Sequence, residues 1–202
     1  MTRIAAAFLP ALLSFGALAQ GPAAPPPVRL RGTLEKLEGQ ILTVKTRDGE
    51  SKTVKLGDNY RIVGISKASV ADITKGKFIG STTVGEKDGN LVAEEVHIFP
   101  EDMRGTGEGH YDWDLKPTSK MTNANVAEIT KMGDGHVMTV QYKGGEKKIA
   151  VTDKTTVVSY GPADKAELKP GANIFLVAAK QPDGSLTAAR VNVGLNGQKP
   201  PM

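Results

Sequence analysis

Residues 105–115, GTGEGHYDWDL, gather most of what could do chemistry in this chain: the only tryptophan, one of three histidines and three carboxylates. If the segment is extended, alternate side chains point to opposite faces. Glu108, His110, Asp112 and Asp114 then share one face, and Tyr111, Trp113 and Leu115 the other. The first set supplies carboxylate and imidazole donors suited to a divalent metal, the only cofactor the residues suggest. Same-face neighbours on a strand stand about 6.6 Å apart, whereas a ligand atom must lie about 2.0–2.6 Å from the ion. Two neighbours could chelate together, but four on a straight strand could not. A full site would need the segment to curl, or a partner such as His97. The second set is a candidate anchor for a linker. Burying Trp113 with Leu115 is worth on the order of 1.5–3 kcal/mol per large side chain, enough to hold a connector with no ligand. The anchor is the leading expectation and the metal site its alternative.

Other chemistry has less support. The chain has no cysteine and no Gly-x-Ser-x-Gly, Ser-x-x-Lys or His-Glu-x-x-His motif, so an enzyme is not expected. Catalysis by residues scattered over several strands is the second alternative. The Gly-x-Gly-x-Gly of 105–109 follows a Pro-Glu-Asp turn and opens no helix, which excludes a dinucleotide cradle. His97, in EEVHIF, lies out of phase with Val96 and Ile98 and is expected on a strand surface or rim. His136 follows Gly-Asp-Gly in a turn. Lys143, Lys147, Lys148 and Lys154 form a basic stretch that could face an anionic glycan or headgroup, or be a solvated face. Aromatic residues make up only 5% of the chain, too few for a stacking platform, so nucleic acid is not an expected partner.

The elements around these residues are short and repeated. ILTVKTRDGESKTVKL (41–56) lies over VMTVQYKGGEKKIAVT (137–152), ITKG (73–76) over LKPG (168–171), and DGNLVAEEVHI (88–98) over DGSLTAARVNV (183–193). Within each copy the hydrophobic period is two, with Leu42, Val44 and Thr46 on one face. Asp48-Gly49, Asp88-Gly89, Asp183-Gly184 and Gly144-Gly145 read as hairpin turns. Stretches 66–73 and 163–168 fit a single helical turn. Five or six short strands in about 70 residues predict a small closed barrel, OB-like or SH3-like, which also hides the sheet edges. The expected fold is therefore all-β. Two tandem barrels are expected at 30–99 and 125–194, joined by a connector at 100–124; the alternative is one interleaved unit built from both copies.

The ends suggest export. MTRIAAAFLPALLSFGALAQ has a basic start at Arg3, an apolar run and the small-x-small pattern Ala17-Leu18-Ala19, which predicts a signal peptide (1–19) cut after Ala19. The run is shorter than the roughly 20 residues a membrane anchor needs. A Pro/Ala-rich lead (20–29) and a flexible tail (195–202) flank the barrels. The net charge of +4 is scattered among acids and marks solubility before partner choice.

RGTLEKLEGQILTVKTRDG, MRGTGEGHYDWDL, MTNANV, VAAKQPDGSLTAARV and the closing KPPM resemble a family of exported bacterial proteins with tandem barrel-like domains of unknown function. Members are often labelled "metal ABC transporter permease". A permease needs several spanning helices, and this sequence has no run for them after the signal peptide. The family's linker pattern maps onto Gly107, Glu108, Gly109, Trp113, Asp114 and Leu115, with His110 in its variable part. The resemblance implies an exported barrel protein and no assigned activity. The expected role is a non-catalytic binding or scaffold module of the periplasm or cell exterior, with an envelope protein or anionic glycan as partner and no membrane-spanning part.

Overall fold

Residues 25–200 are described by a computed structural model; the expected signal peptide and residues 20–24 of the lead lie outside them. Strands alternate with tight turns from end to end. They are β1 (Val28–Glu38), β2 (Ile41–Thr46), β3 (Ser51–Lys67), β4 (Phe78–Lys87), β5 (Asn90–Ile98) and β6 (Gly109–Asp112). After the linker come β7 (Lys120–Met132), β8 (Gly135–Tyr142), β9 (Gly145–Val151), β10 (Thr156–Pro162), β11 (Asn173–Lys180) and β12 (Leu186–Gly194). The described residues contain no α-helix, only four single 3-10 turns, two of them at Val70–Asp72 and Lys165–Glu167 where one helical turn is expected. Gly89 (φ 74°) and Gly184 (φ 85°) supply the left-handed residue of two matched hairpins, a conformation that costs glycine little. Among the described residues no helix is long and apolar enough to cross a membrane.

The pairings close the strands into rings. Ring one runs β1–β2–β3–β12–β11 and back to β1, with β3 and β12 parallel and every other pair antiparallel. Numbered within the ring, this is the 1-2-3-5-4 Greek-key order of an OB-type barrel. Ring two runs β7–β8–β9–β5–β4 and back to β7, closed by a short parallel pairing at Leu91↔Ile149 and Val92↔Ala150. The rings do not follow the division expected at 30–99 and 125–194. Each takes three strands from one segment and two from the other, which is the interleaved arrangement.

The cause lies in β3. At 17 residues it reaches up to roughly 55 Å at 3.3 Å per residue, about twice the length one small ring uses. Its first half pairs with β2, while its second half runs between β12 and β10. The chain therefore leaves ring one before its fourth strand, and β4 enters beside β7 instead. The return crossing is β10, antiparallel to β3, with Tyr160 opposite Ile65. Those two residues are 95 apart, the offset of the matched blocks from Asp88 to Asp183.

Three apolar clusters follow from this path. Ring one encloses Leu34, Leu42, Val44, Val54 and Leu56 with Ile174, Leu176 and Val191 from the far end of the chain. Ring two encloses Ile79, Val96, Met138, Val140, Ile149 and Val151. The third fills the waist between the rings with Ile65, Phe78, Phe99, Met121, Tyr160 and Phe175. Inward positions repeat every second residue, as the period-two pattern requires.

Candidate functional site

The linker does not gather its acidic face into a chelate. Glu108 accepts a hydrogen bond from the Lys143 backbone N–H at 2.9 Å, and His110 Nδ1 meets the Thr122 hydroxyl at 2.8 Å. Asp112 pairs with Lys120, and Asp114 with Arg31 at 2.7 Å and Arg29 at 3.8 Å. Each group faces a different part of the protein, and among the described residues no three His, Asp or Glu side chains come together to hold a metal. The reason is pairing: β6 hydrogen-bonds to β7 through Asp112↔Lys120, so this stretch stays straight rather than curling.

These contacts set the electrostatics. Burial pushes the Asp114 carboxyl up, but the Arg31 hydrogen bond and the charges of Arg31 and Arg29 outweigh it and hold it below the usual range. The Lys120 hydrogen bond and charge hold Asp112 low. Burial, then Lys147 and Lys120, hold the His110 imidazole below its ordinary value of 6.5, with Asp112 opposing.

Of the anchor residues, Trp113 is half-buried against the waist cluster, with the Arg29 guanidinium 4.2 Å above its ring and Tyr111 edge-on at 6.1 Å. Leu115 is half-buried beside it and Tyr111 is 36% exposed. The four lysines do not share a face. Lys147 and Lys148 are neighbours on β9 and alternate, Lys147 lying in phase with buried Ile149. Lys143 and Lys154 sit in exposed turns at opposite ends of that strand.

His97 departs from expectation. It is fully buried, because Phe99 on its own side of β5 and Tyr160 of the neighbouring β10 pack against its ring in place of water. Its Nε2 lies 3.2 Å from the Glu95 carboxylate, its ring stacks on Tyr160 at 5.7 Å, and its Nδ1 has no partner. Burial, with Glu95 adding to it and Arg190 opposing, pushes the Tyr160 phenol far above its ordinary range.

Beside this group the waist opens into a cavity of about 340 Å³, walled by Phe99, Tyr160 and Phe175 and carrying Asn123, Asn192 and Arg190. Both asparagines are almost fully buried. Asn123 Nδ2 donates to the Thr106 carbonyl at 3.0 Å and to the Tyr111 hydroxyl at 3.2 Å, and Asn192 Nδ2 donates to the Phe175 carbonyl at 3.1 Å. A carbonyl accepts only, so each amide is fixed with its N–H₂ on the protein. Each Oδ1 is left buried without a partner. An unsatisfied buried acceptor costs about 1–3 kcal/mol, so the two asparagines beside this cavity carry a cost that a hydrogen-bond donor would relieve.

Gly80 makes this approach feasible: a Cβ there would stand 2.6 Å from Asn123 Oδ1 and 3.2 Å from His97 Nδ1. The linker thus reaches the cavity after all, through Thr106 and Tyr111, which hold Asn123 in place. Sequence reasoning passed over Asn123 and Asn192. The only cue was that both, in MTNANV and TAARVNV, are polar residues beside apolar ones. No protein-family model matches the chain, and neither a curated protein nor a solved structure does.

Proposed function

We propose that this chain is a non-catalytic binding module whose ligand is a small ring compound bearing N–H or O–H donors, held in the waist cavity. The observation that carries this reading is the pair of fixed, partnerless amide oxygens, Asn123 Oδ1 and Asn192 Oδ1, beside the flat walls of Phe99, Tyr160 and Phe175. Aromatic walls supply area and two acceptors supply orientation, the usual division of labour in a small-molecule site. The start of the chain, with Arg3, an apolar run and Ala17-Leu18-Ala19, supports export, so the ligand would be met in the cell envelope or outside the cell.

Catechol is a suitable probe, with two donors on one ring. Titrated into the full chain, it should shift the side-chain amide signals of Asn123 and Asn192 in an NMR spectrum. An Asn123→Leu/Asn192→Leu variant that remains folded should lose that binding by at least tenfold, the loss expected for two hydrogen bonds in a dry site. Equal catechol affinity in parent and variant would remove the basis of the reading.

A further inference from the structure

We infer that a second cavity, on the outer face of ring one, is a carboxylate site built on Arg61 and Arg190. The two arginines are direct partners in the parallel pairing of β12 with β3, so their Cα atoms lie on adjacent strands about 4.8 Å apart and their side chains leave the same face. That face is the outer one, because Val191, between Arg190 and Asn192, points into the ring-one core. Like charges placed directly opposite each other on a sheet repel and destabilise it. Among the described residues, neither guanidinium makes a hydrogen bond or an ion pair.

The arginines border a cavity of about 590 Å³ whose other walls are mainly apolar, including Ile62, Pro100, Met103 and Pro162. The cavity's own carboxylate, Asp102, pairs with neither arginine. At the matched position of the other copy, Arg190 is replaced by Glu95, so the paired charge is special to one ring. Two arginines, one exposed and one half-buried, at the border of a mainly apolar cavity fit an organic carboxylate with a hydrophobic body. The inference does not depend on the waist cavity. It needs Arg61, which that cavity lacks, although Arg190 borders both.

The test titrates the full chain with benzoate, methyl benzoate and inorganic phosphate, by calorimetry and by NMR of the arginine Nε–Hε signals. Benzoate should bind, shift the Arg61 and Arg190 signals and raise the melting temperature, and methyl benzoate should do none of these. Arg61→Gln and Arg190→Gln should each weaken benzoate at least tenfold. Without ligand and at low salt, Arg61→Gln should melt higher than the parent, because a repulsion has gone. It should also still bind catechol at the asparagine pair, which separates this inference from the waist reading. Methyl benzoate binding as well as benzoate would overturn the proposal, as would benzoate affinity that survives both substitutions. Binding of phosphate with no response to benzoate would overturn the carboxylate assignment.

Discussion

At the scale of single residues, the waist depends on Gly80 having no side chain. A methyl group there must displace the Asn123 amide, which two hydrogen bonds hold in a buried place. Gly80→Ala should therefore cost about 1–3 kcal/mol, as overpacked sites do, and abolish catechol binding. Urea denaturation with the NMR titration checks both, and a variant as stable as the parent would show that Asn123 is free to move. His110 gives the pH dependence a sign. Its native pKa lies below the unfolded value of 6.5, so the unfolded chain takes up the proton first as the pH falls. The stability this contributes is complete above that value and is lost progressively as the pH falls through the native pKa. Urea midpoints measured from about pH 7 to 5 should fall with a shallower slope in His110→Gln than in the parent. Identical slopes would mean that His110 is not the group responsible. The sequence exposed residues of rare type, which is why Trp113 and His110 stood out. It hid Asn123, Asn192 and His97, because a buried polar residue and an exposed one look alike until the covering element is known.

At the scale of elements, the linker is a strand and a turn rather than a loose strap. β6 adds to the edge of β7, Ser119 closes the following turn by donating to the Trp113 carbonyl at 2.9 Å, and Lys116 pairs with Glu94 at 2.8 Å. Arg104, hydrogen-bonded to Asn125 and to the Gly76 carbonyl, fixes its start. Trp113→Ala should lower stability by about 2 kcal/mol, less than a fully buried aromatic because the ring is half-buried. It should also open new protease cleavage between 100 and 124, seen by limited proteolysis and mass spectrometry. Resistance equal to the parent's would show that β6 pairing alone holds the segment. Strands and hairpins were legible from alternation and Asp-Gly turns, since both are local. Partners were not, because alternation says which face of β4 is apolar and nothing about which strand lies beside it. The expectation of short strands failed at β3, whose 17 residues are more than one small ring can use.

At the scale of the whole molecule, neither half is a closed unit. Residues 25–104 hold β1–β3 without β11 and β12, and β4–β5 without β7–β9. Expressed separately, 25–104 and 105–202 should each lack a dispersed NMR spectrum as a monomer. Co-expressed, they should associate one to one and recover the spectrum of the intact chain. A folded monomer from either half alone would contradict the ring pairings. The interleaving also sets an order of events in biogenesis. Every strand of ring two lies between residues 78 and 151, but ring one needs β1 at residue 28 and β12 at residue 194. A chain emerging from its N-terminus can complete ring two first, while β1–β3 wait with their apolar faces uncovered. Such waiting edges are where long-range β folds aggregate, and the loop to be closed spans most of the chain. The crossing of β3 and β10 therefore makes the last strand synthesised the one that decides whether the first three stay soluble.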